Sequence, residues 1–426
     1  MIHNTYPFPP VLRYGLAVQH LLAVFAGTIF VPVVLGLPIA LALLFSGVGT
    51  LMFHYFTDNK MPLYFSSSFT VLAGMAYIRQ TAIQRGLPDD IGLCYVCLCS
   101  MLIGLIYIII SLLIRYVPNR IIRNVFSPAL AGPIIMVIGL DMLFSSTYSI
   151  KTDWITGVVA IAAVIIAQYL GKGVTRILSV SIGVATGVVV AALRGTVSFE
   201  AVGNAVWLAT PFNHDYMAFR ILERLDGEML LTVVLTAIPL SLIALGEHIS
   251  DVIIISRTTH TDYMRTIGLQ RTISANGLST VLAAVFGCSQ TTAYTQTTGL
   301  IQLNRICDPS LLRIVAGMMI VIACCPKIGV AVSCIPVAVI GAITFIMYCM
   351  VIYIGGRTIC QGAKKEGNVR SIAIISAVIL VYAIIKLIFD GGISLGHTTI
   401  TSITAAFLVG LILNIAIPRR HEEENS

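Results

Sequence analysis

Apolar residues along this chain run in long unbroken blocks and do not alternate with polar ones. The stretches 21–36, 102–113, 155–170, 229–245 and 403–417 contain no Asp, Glu, Lys or Arg. A helix needs about 20 apolar residues to cross the hydrocarbon layer. Surface helices of soluble proteins are shorter and two-faced. The blocks predict fourteen segments, beginning near residues 15, 38, 62, 90, 119, 153, 176, 228, 270, 288, 309, 330, 370 and 396. Two of them, 62–80 and 288–304, are too polar for ordinary spans.

The spacing repeats. Segment 1 begins near 15 and segment 8 near 228, while the two polar segments begin near 62 and 288. These offsets fit two seven-segment repeats. Seven is odd, so the second repeat is inverted in the membrane, an arrangement common in transporters.

Composition closes off other classes. Hydrophobic residues make up 57% of the 426 residues and charged residues 11%, against about 25% charged in soluble domains. The net charge is +7, but the basic residues punctuate loops and form no cluster for nucleic acid. With a cytoplasmic N-terminus, eighteen of the 26 Lys and Arg fall on the cytoplasmic side. That excess is the usual topology signal and places both termini inside the cell membrane. The N-terminal MIHNTYPFPP lacks the basic region and small-residue site of a cleavable signal, so the first block reads as span 1. The longest exterior connection is about 195–227, and no soluble domain is expected. Most of the ten cysteines lie inside apolar blocks, so Cys94 and Cys97 read as small packing residues. No disulfide or zinc spacing is present.

Candidate chemistry sits in three places. Residues 62–70 (Pro62 to Thr70) and 287–299 (Gly287 to Gly299) each offer a short extended stretch, then Ser and Thr, then a short apolar helix. Non-helical backbone at membrane depth is tolerated only where protein or a watery cavity satisfies it. Two such segments at matching positions point to a binding site between half-helices, whose first N–H groups and positive dipole ends stay free. The third place is Gly246-Glu247-His248-Ile249-Ser250-Asp251. Glu247 and Asp251 are four apart and share a helix face, and His248 points elsewhere. An ionised carboxyl at a helix centre costs about 2.5–3.5 kcal/mol on insertion scales, which makes both acids functional candidates. A protonatable pair of this kind suits proton coupling. Asp141 reads as structural or gating, and His20 as a satisfied packing histidine.

These residues resemble the nucleobase–ascorbate transporter (nucleobase:cation symporter) family, particularly its bacterial uracil and xanthine permeases. Four stretches carry the likeness: Gln19 to Phe25 continuing to Val31-Pro32, Tyr64 to Phe69, Gly246 to Asp251, and Ala275 to Thr280 followed by Gln296-x-x-Gly299 and Arg305. The resemblance implies an all-α membrane fold of fourteen segments, with short extended stretches and half-helices in segments 3 and 10. It implies a core domain from residues 1–116 and 228–327, a gate domain from 117–195 and 328–418, and a cytoplasmic tail, 419–426. By the same resemblance, Glu247 bonds ring N–H groups and Gln296 reads the base. Backbone N–H groups near Ser68, Phe69 and Thr295 meet carbonyl oxygens. Tyr294 and Phe69 wall the ring, Tyr348 closes the pocket from the gate side, and Glu247 with Asp251 carries the proton.

Two positions depart from the family signature: Thr297 stands where Asn is usual, and Asn304 where Thr is usual. Gln296 and Asp251 lean toward the purine branch, whereas Asn276 leans toward uracil permeases. A Gln amide both donates and accepts, so it can read an N–H/C=O edge. The expectation is a proton symporter that imports a nucleobase by alternating access, with a xanthine- or urate-type oxopurine favoured. A uracil permease is the alternative, and an anion exchanger of the same architecture stands further off. Expected partners are the base, the bilayer and a second copy through the gate domain. No cofactor, resident metal or nucleic acid is expected. No zinc-protease, G-x-S-x-G or P-loop motif suggests an enzyme.

Overall fold

The computed structural model describes residues 10–68, 70–114, 128–212, 217–294, 297, 300–301, 306–365, 368–389, 392–395 and 398–417. Apolar blocks become helices where sequence signals start and stop them. Helix α1 (Pro10–Leu35) ends at Gly36, whose φ of 75° lets Leu37 N–H donate back to Pro32 O at 2.8 Å. A side chain at Gly36 would also strike the Arg79 guanidinium, which donates to Leu35 O at 2.7 Å. Helix α2 (Ile39–Phe56) ends on Asp58 and Asn59, both left-handed, with Asn59 N–H donating to His54 O at 2.7 Å. Asp and Asn tolerate that conformation better than other side chains.

The chain then runs through β1 (Phe65–Ser67), α3 (Leu72–Gln84), α4 (Asp89–Ile114), α5 (Pro128–Ile150), α6 (Trp154–Tyr169) and α7 (Ser179–Leu193). The connection after α7 holds a short helix, Glu200–Asn204, and a 3-10 turn, Ala218–Arg224. Helix α8 (Gly227–Thr259) starts at Asp226, whose carboxylate accepts from Glu228 N and Met229 N, and stops at left-handed His260. Helix α9 (Leu269–Val285), β2 (Thr291–Ala293), α10 (Pro309–Ala323), α11 (Pro326–Ser333), α12 (Val337–Lys365) and α13 (Asn368–Ile388) follow. A hairpin of β3 (Gly392–Leu395) and β4 (Thr398–Thr401) precedes α14 (Ser402–Ala416).

Six of the described helices are long and apolar enough to cross a bilayer, or seven if α10 and α11, bent by 83°, form one span. Helices α7 and α14 are shorter. Inside lipid, helices gain little from burying apolar surface, so close backbone approach through small residues holds them together. Gly104 on α4 and Gly277 on α9 face each other so closely that a Cβ on either would lie 2.7–2.8 Å from the other's carbonyl oxygen. Gly132 on α5 and Gly355 on α12 make the equivalent crossing, where a Cβ on Gly355 would reach Gly132 O at 2.8 Å. Helix α2 lies along α10, α6 along α7, and α13 along α14.

The structure differs from expectation at two places. The segment expected near 330 is divided: α11 ends at Ser333, and α12 starts just after Pro336. Proline cannot continue a helix from its N-terminal side. The segment expected near 396 begins as the β3–β4 hairpin, where β-branched Thr398 to Thr401 favour strand over helix. Residues 115–127, near the expected start of segment 5, lie outside the described residues.

Candidate functional site

Strands β1 and β2 meet antiparallel, with Phe65 opposite Ala293, Ser66 opposite Thr292 and Ser67 opposite Thr291. Two further bonds lengthen the ladder: Tyr294 N–H to Tyr64 O at 2.8 Å, and Ser68 N–H to Gln290 O at 3.0 Å. The two extended stretches read from the sequence therefore pair with each other. A frame of helix hydroxyls holds them in place. Thr50 Oγ1 accepts from Phe65 N at 2.9 Å, Ser46 Oγ and Tyr64 OH lie 2.5 Å apart, and Thr28 Oγ1 lies 3.1 Å from Ser66 Oγ. From α9, Thr280 Oγ1 donates to Thr291 O at 3.1 Å, and Ser279 Oγ lies 3.0 Å from Thr291 Oγ1. An isolated two-stranded pair is marginal by itself; here hydroxyls from three helices, α1, α2 and α9, fix it.

Both strands are fully buried, yet not every polar atom around them is satisfied. Ser68 Oγ, Ser289 Oγ, Gln290 Oε1 and Thr292 Oγ1 have no hydrogen-bond partner among the described residues. Buried polar side chains nearly always have partners, so each exception needs a reason. Helix α3 begins next to them without a side-chain cap, leaving first-turn N–H groups for another acceptor.

Helix α8 brings Glu247 to this place. Thr70 Oγ1, between β1 and α3, donates to Glu247 Oε2 at 2.5 Å. Asp251 is buried one turn further along α8, with 5% of its surface exposed. His248 turns the other way, as the helix period predicts: its Nδ1 lies 3.1 Å from Asn276 Nδ2, and its ring meets Phe53 edge-on. Tyr294 is buried with its ring against Gly27 of α1, where any Cβ would overlap the phenol. Tyr348 is buried on α12 in the same apolar cluster as Ala244 and Leu245 of α8. Thr297 is buried and its hydroxyl donates to Tyr294 O at 2.7 Å. Phe69, Thr295, Gln296, Asn304 and the side chain of Asp141 lie outside the described residues.

The structure thus brings together the ladder, Ser68, Glu247 and Tyr294. It adds residues that the sequence reading did not select. Thr70 is one. Gln290 is another, its Nε2 donating to Tyr107 OH at 3.2 Å. A Gln in an apolar segment was the available signal, because polar side chains there are costly unless bonded. His20 is corrected in part: it is buried, as a packing histidine would be, but its Nδ1 has no hydrogen-bond partner among the described residues. Among the described residues no group of three His, Cys, Asp or Glu could hold a metal ion.

Comparison with known proteins places this architecture. The chain is 29% identical to the uracil permease of Bacillus subtilis (strain 168) over 440 residues, covering 97% of this chain and 94% of that protein. It is 26% identical to the uracil permease of Escherichia coli (strain K12), covering 96% and 92%, and 26% identical to a probable uracil permease of Haemophilus influenzae, covering 95% and 94%. Its fold resembles the transmembrane domain of the cyanobacterial bicarbonate transporter BicA, with a TM-score of 0.62 at 13% identity, covering 96% of this chain and 99% of that one. It also resembles SLC26A9, with a TM-score of 0.69 at 11% identity, covering 95% and 64%. The family model described as Permease family matches residues 14–390, so this multi-pass membrane protein belongs to that family, the nucleobase–ascorbate transporters.

Proposed function

We propose that the chain is a uracil permease, a secondary transporter that imports the pyrimidine together with a proton by alternating access. The sequence alone favoured an oxopurine, on Gln296 and Asp251. The relatives support the pyrimidine instead, since three that match along nearly their whole length are named uracil permeases or probable ones.

The observation that carries the reading is Glu247, held by Thr70 next to a ladder with unpartnered buried polar atoms. In this reading a ring N–H donates to the Glu247 carboxyl, which Thr70 holds through Oε2. Carbonyl oxygens of the base accept from N–H groups at the start of α3 and from the stretch after β2, with Gln296 reading the same edge. Tyr294, Phe69 and Tyr348 enclose the ring. Protonation of Glu247 or Asp251 before the base binds neutralises buried charge and permits the conformational step.

The moving parts are a core domain, 1–116 with 228–327, and a gate domain, 117–195 with 328–418. Packing supports the division. The pairs α4–α9 and α2–α10 fall within the first set, and α5–α12, α6–α7 and α13–α14 within the second. The antiparallel pairing of β1 with β2 is what two inverted repeats would produce. A homodimer through the gate domain and cytoplasmic termini complete the proposal.

Radiolabelled uptake in cells without their own base permeases tests it. Uracil should accumulate and lose its accumulation when a protonophore collapses the proton gradient, and excess xanthine should compete poorly. Glu247→Gln should abolish accumulation while the protein still reaches the membrane. Efficient xanthine accumulation without uracil uptake would return the oxopurine to first place.

A further inference from the structure

A crevice of about 800 Å3 lies between α1, α7, α11 and α12. Among the described residues it is separate from the acidic site: Glu247, Thr70 and Ser68 do not line it, and Tyr294 is the site residue that does. Its walls are apolar, with Phe30 and Val33 from α1, Val184 and Val188 from α7, and Ile340 and Ile343 from α12. A polar solute would find little to bond there.

The shape and the rim suggest an amphiphile. At one end α1 and α7 are tied, Ser181 Oγ donating to Leu22 O at 3.3 Å. Along α1 the lining runs from Ala23 to Val33, a rise of about 15 Å and roughly half the thickness of the hydrocarbon layer. That is the depth of one leaflet. At the other end sit Trp207 and Lys327, the ammonium 4.4 Å from the centre of the indole. Lys327 is the second residue of α11, whose N-cap, Cys325, supplies no side-chain bond. The positive end of the helix and its free N–H therefore lie beside the ammonium. The segment carrying Trp207 is fixed, because Ala209 N–H donates to Cys324 O at 3.1 Å and Phe212 packs on Phe286 at 5.3 Å. A prebuilt cationic, indole-bearing rim above an apolar slot one leaflet deep matches a charged headgroup with its chain below. Apolar cavities do not hold water well, and in a membrane the available filler is lipid.

We propose that the crevice binds one anionic phospholipid of the surrounding bilayer, its acyl chain between α1 and α7 and its phosphate at Lys327 and the start of α11. Helix α1 packs with the strand pair, whereas α7 packs with α6 and α12. A bound chain therefore sits between two groups of helices and resists their closing at that end. Transport rate then depends on the anionic lipid content of the membrane, whichever base is carried.

The test uses the purified full chain reconstituted in vesicles of phosphatidylglycerol with phosphatidylcholine, or of phosphatidylcholine alone. Native mass spectrometry then counts the lipid retained. The wild type should retain one phosphatidylglycerol per chain. Lys327→Gln should lower that retention about fivefold, the contribution of one surface lysine to anionic-lipid attraction. Ala185→Trp, which fills the slot from α7 without touching the rim, should abolish retention. Equal retention of the two lipids by the wild type, or unchanged phosphatidylglycerol retention in Lys327→Gln, would overturn the proposal. Because Lys327→Gln changes only a rim side chain, the proposal stays testable if the tryptophan variant does not fold. Adequate phosphatidylglycerol retention with no base uptake would count against the transport reading alone.

Discussion

Thr70 Oγ1 donates to Glu247 Oε2 at 2.5 Å, joining residues 177 positions apart in the chain. This one bond ties the start of half-helix α3 to the acidic face of α8. A hydrogen bond to a charged group contributes about 1.5–3 kcal/mol, roughly 10- to 150-fold in an equilibrium. Thr70→Val should therefore raise the KM for the transported base by about tenfold or more, while Thr70→Ser, which keeps the donor, should stay near wild type. Uptake kinetics on both variants decide it. Equal KM values for the two would show that the hydroxyl does not position Glu247.

Gly27 leaves room for Tyr294. A Cβ at that position would overlap the phenol ring and hydroxyl, and Tyr294 is buried. Overpacking of this kind costs about 1–3 kcal/mol. Gly27→Ala should lower the melting temperature of the solubilised protein and reduce uptake sharply. Gly317→Ala is the control, since a Cβ there meets nothing within 4 Å. If both variants melt and transport alike, the contact with Tyr294 is not what keeps position 27 bare.

Most helix positions could be read from the sequence because each depends on local signals. Starts expected near 38, 90, 228 and 309 are observed at Ile39, Asp89, Gly227 and Pro309. The two broken segments were legible from their polarity, but not that they pair with each other as a ladder, because pairing across more than 200 residues leaves no local trace. Glu247 was legible because a carboxyl in an apolar block is costly. Thr70, Gln290 and Tyr107 were not, because their value lies in partners far away in sequence and leaves no periodic trace. The β3–β4 hairpin was missed because a Thr- and Gly-containing stretch beside an apolar block looked like the ragged start of a span. The oxopurine preference rested on two side chains, and similarity along the whole chain outweighs it.

The crossing of α4 and α9 depends on paired glycines. Gly104 and Gly277 each lie so near the other's carbonyl oxygen that a methyl group would have to push the helices apart. With little hydrophobic drive between helices in lipid, separation forfeits dispersion contacts along the whole seam. Gly277→Ala should lower thermal stability by about 1–3 kcal/mol. Gly104→Ala with Gly277→Ala should cost less than the two single losses added, because the first methyl already separates the helices. Strict additivity in thermal melts would mean that the two positions act independently.

His248 and Asn276 form a buried polar pair away from the carboxylate face. Asn276 Nδ2 donates to His248 Nδ1 at 3.1 Å, and Asn276 Oδ1 lies 3.5 Å from Thr280 Oγ1, whose one proton goes to Thr291 O. His248 Nδ1 is then the acceptor. Its Nε2 has no hydrogen-bond partner among the described residues. Removing one member of such a pair strands the other, which costs about 1–3 kcal/mol, whereas replacing both by apolar groups of similar shape is nearly neutral. Asn276→Ala should therefore destabilise the solubilised protein more than the double variant His248→Phe with Asn276→Leu. Base uptake should survive in the double variant if the pair serves only to hold α8 against α9. A double variant less stable than Asn276→Ala would show that the pair contributes stabilisation beyond its mutual satisfaction. Lost uptake in a double variant of normal stability would instead assign His248 a part in transport, beside Glu247.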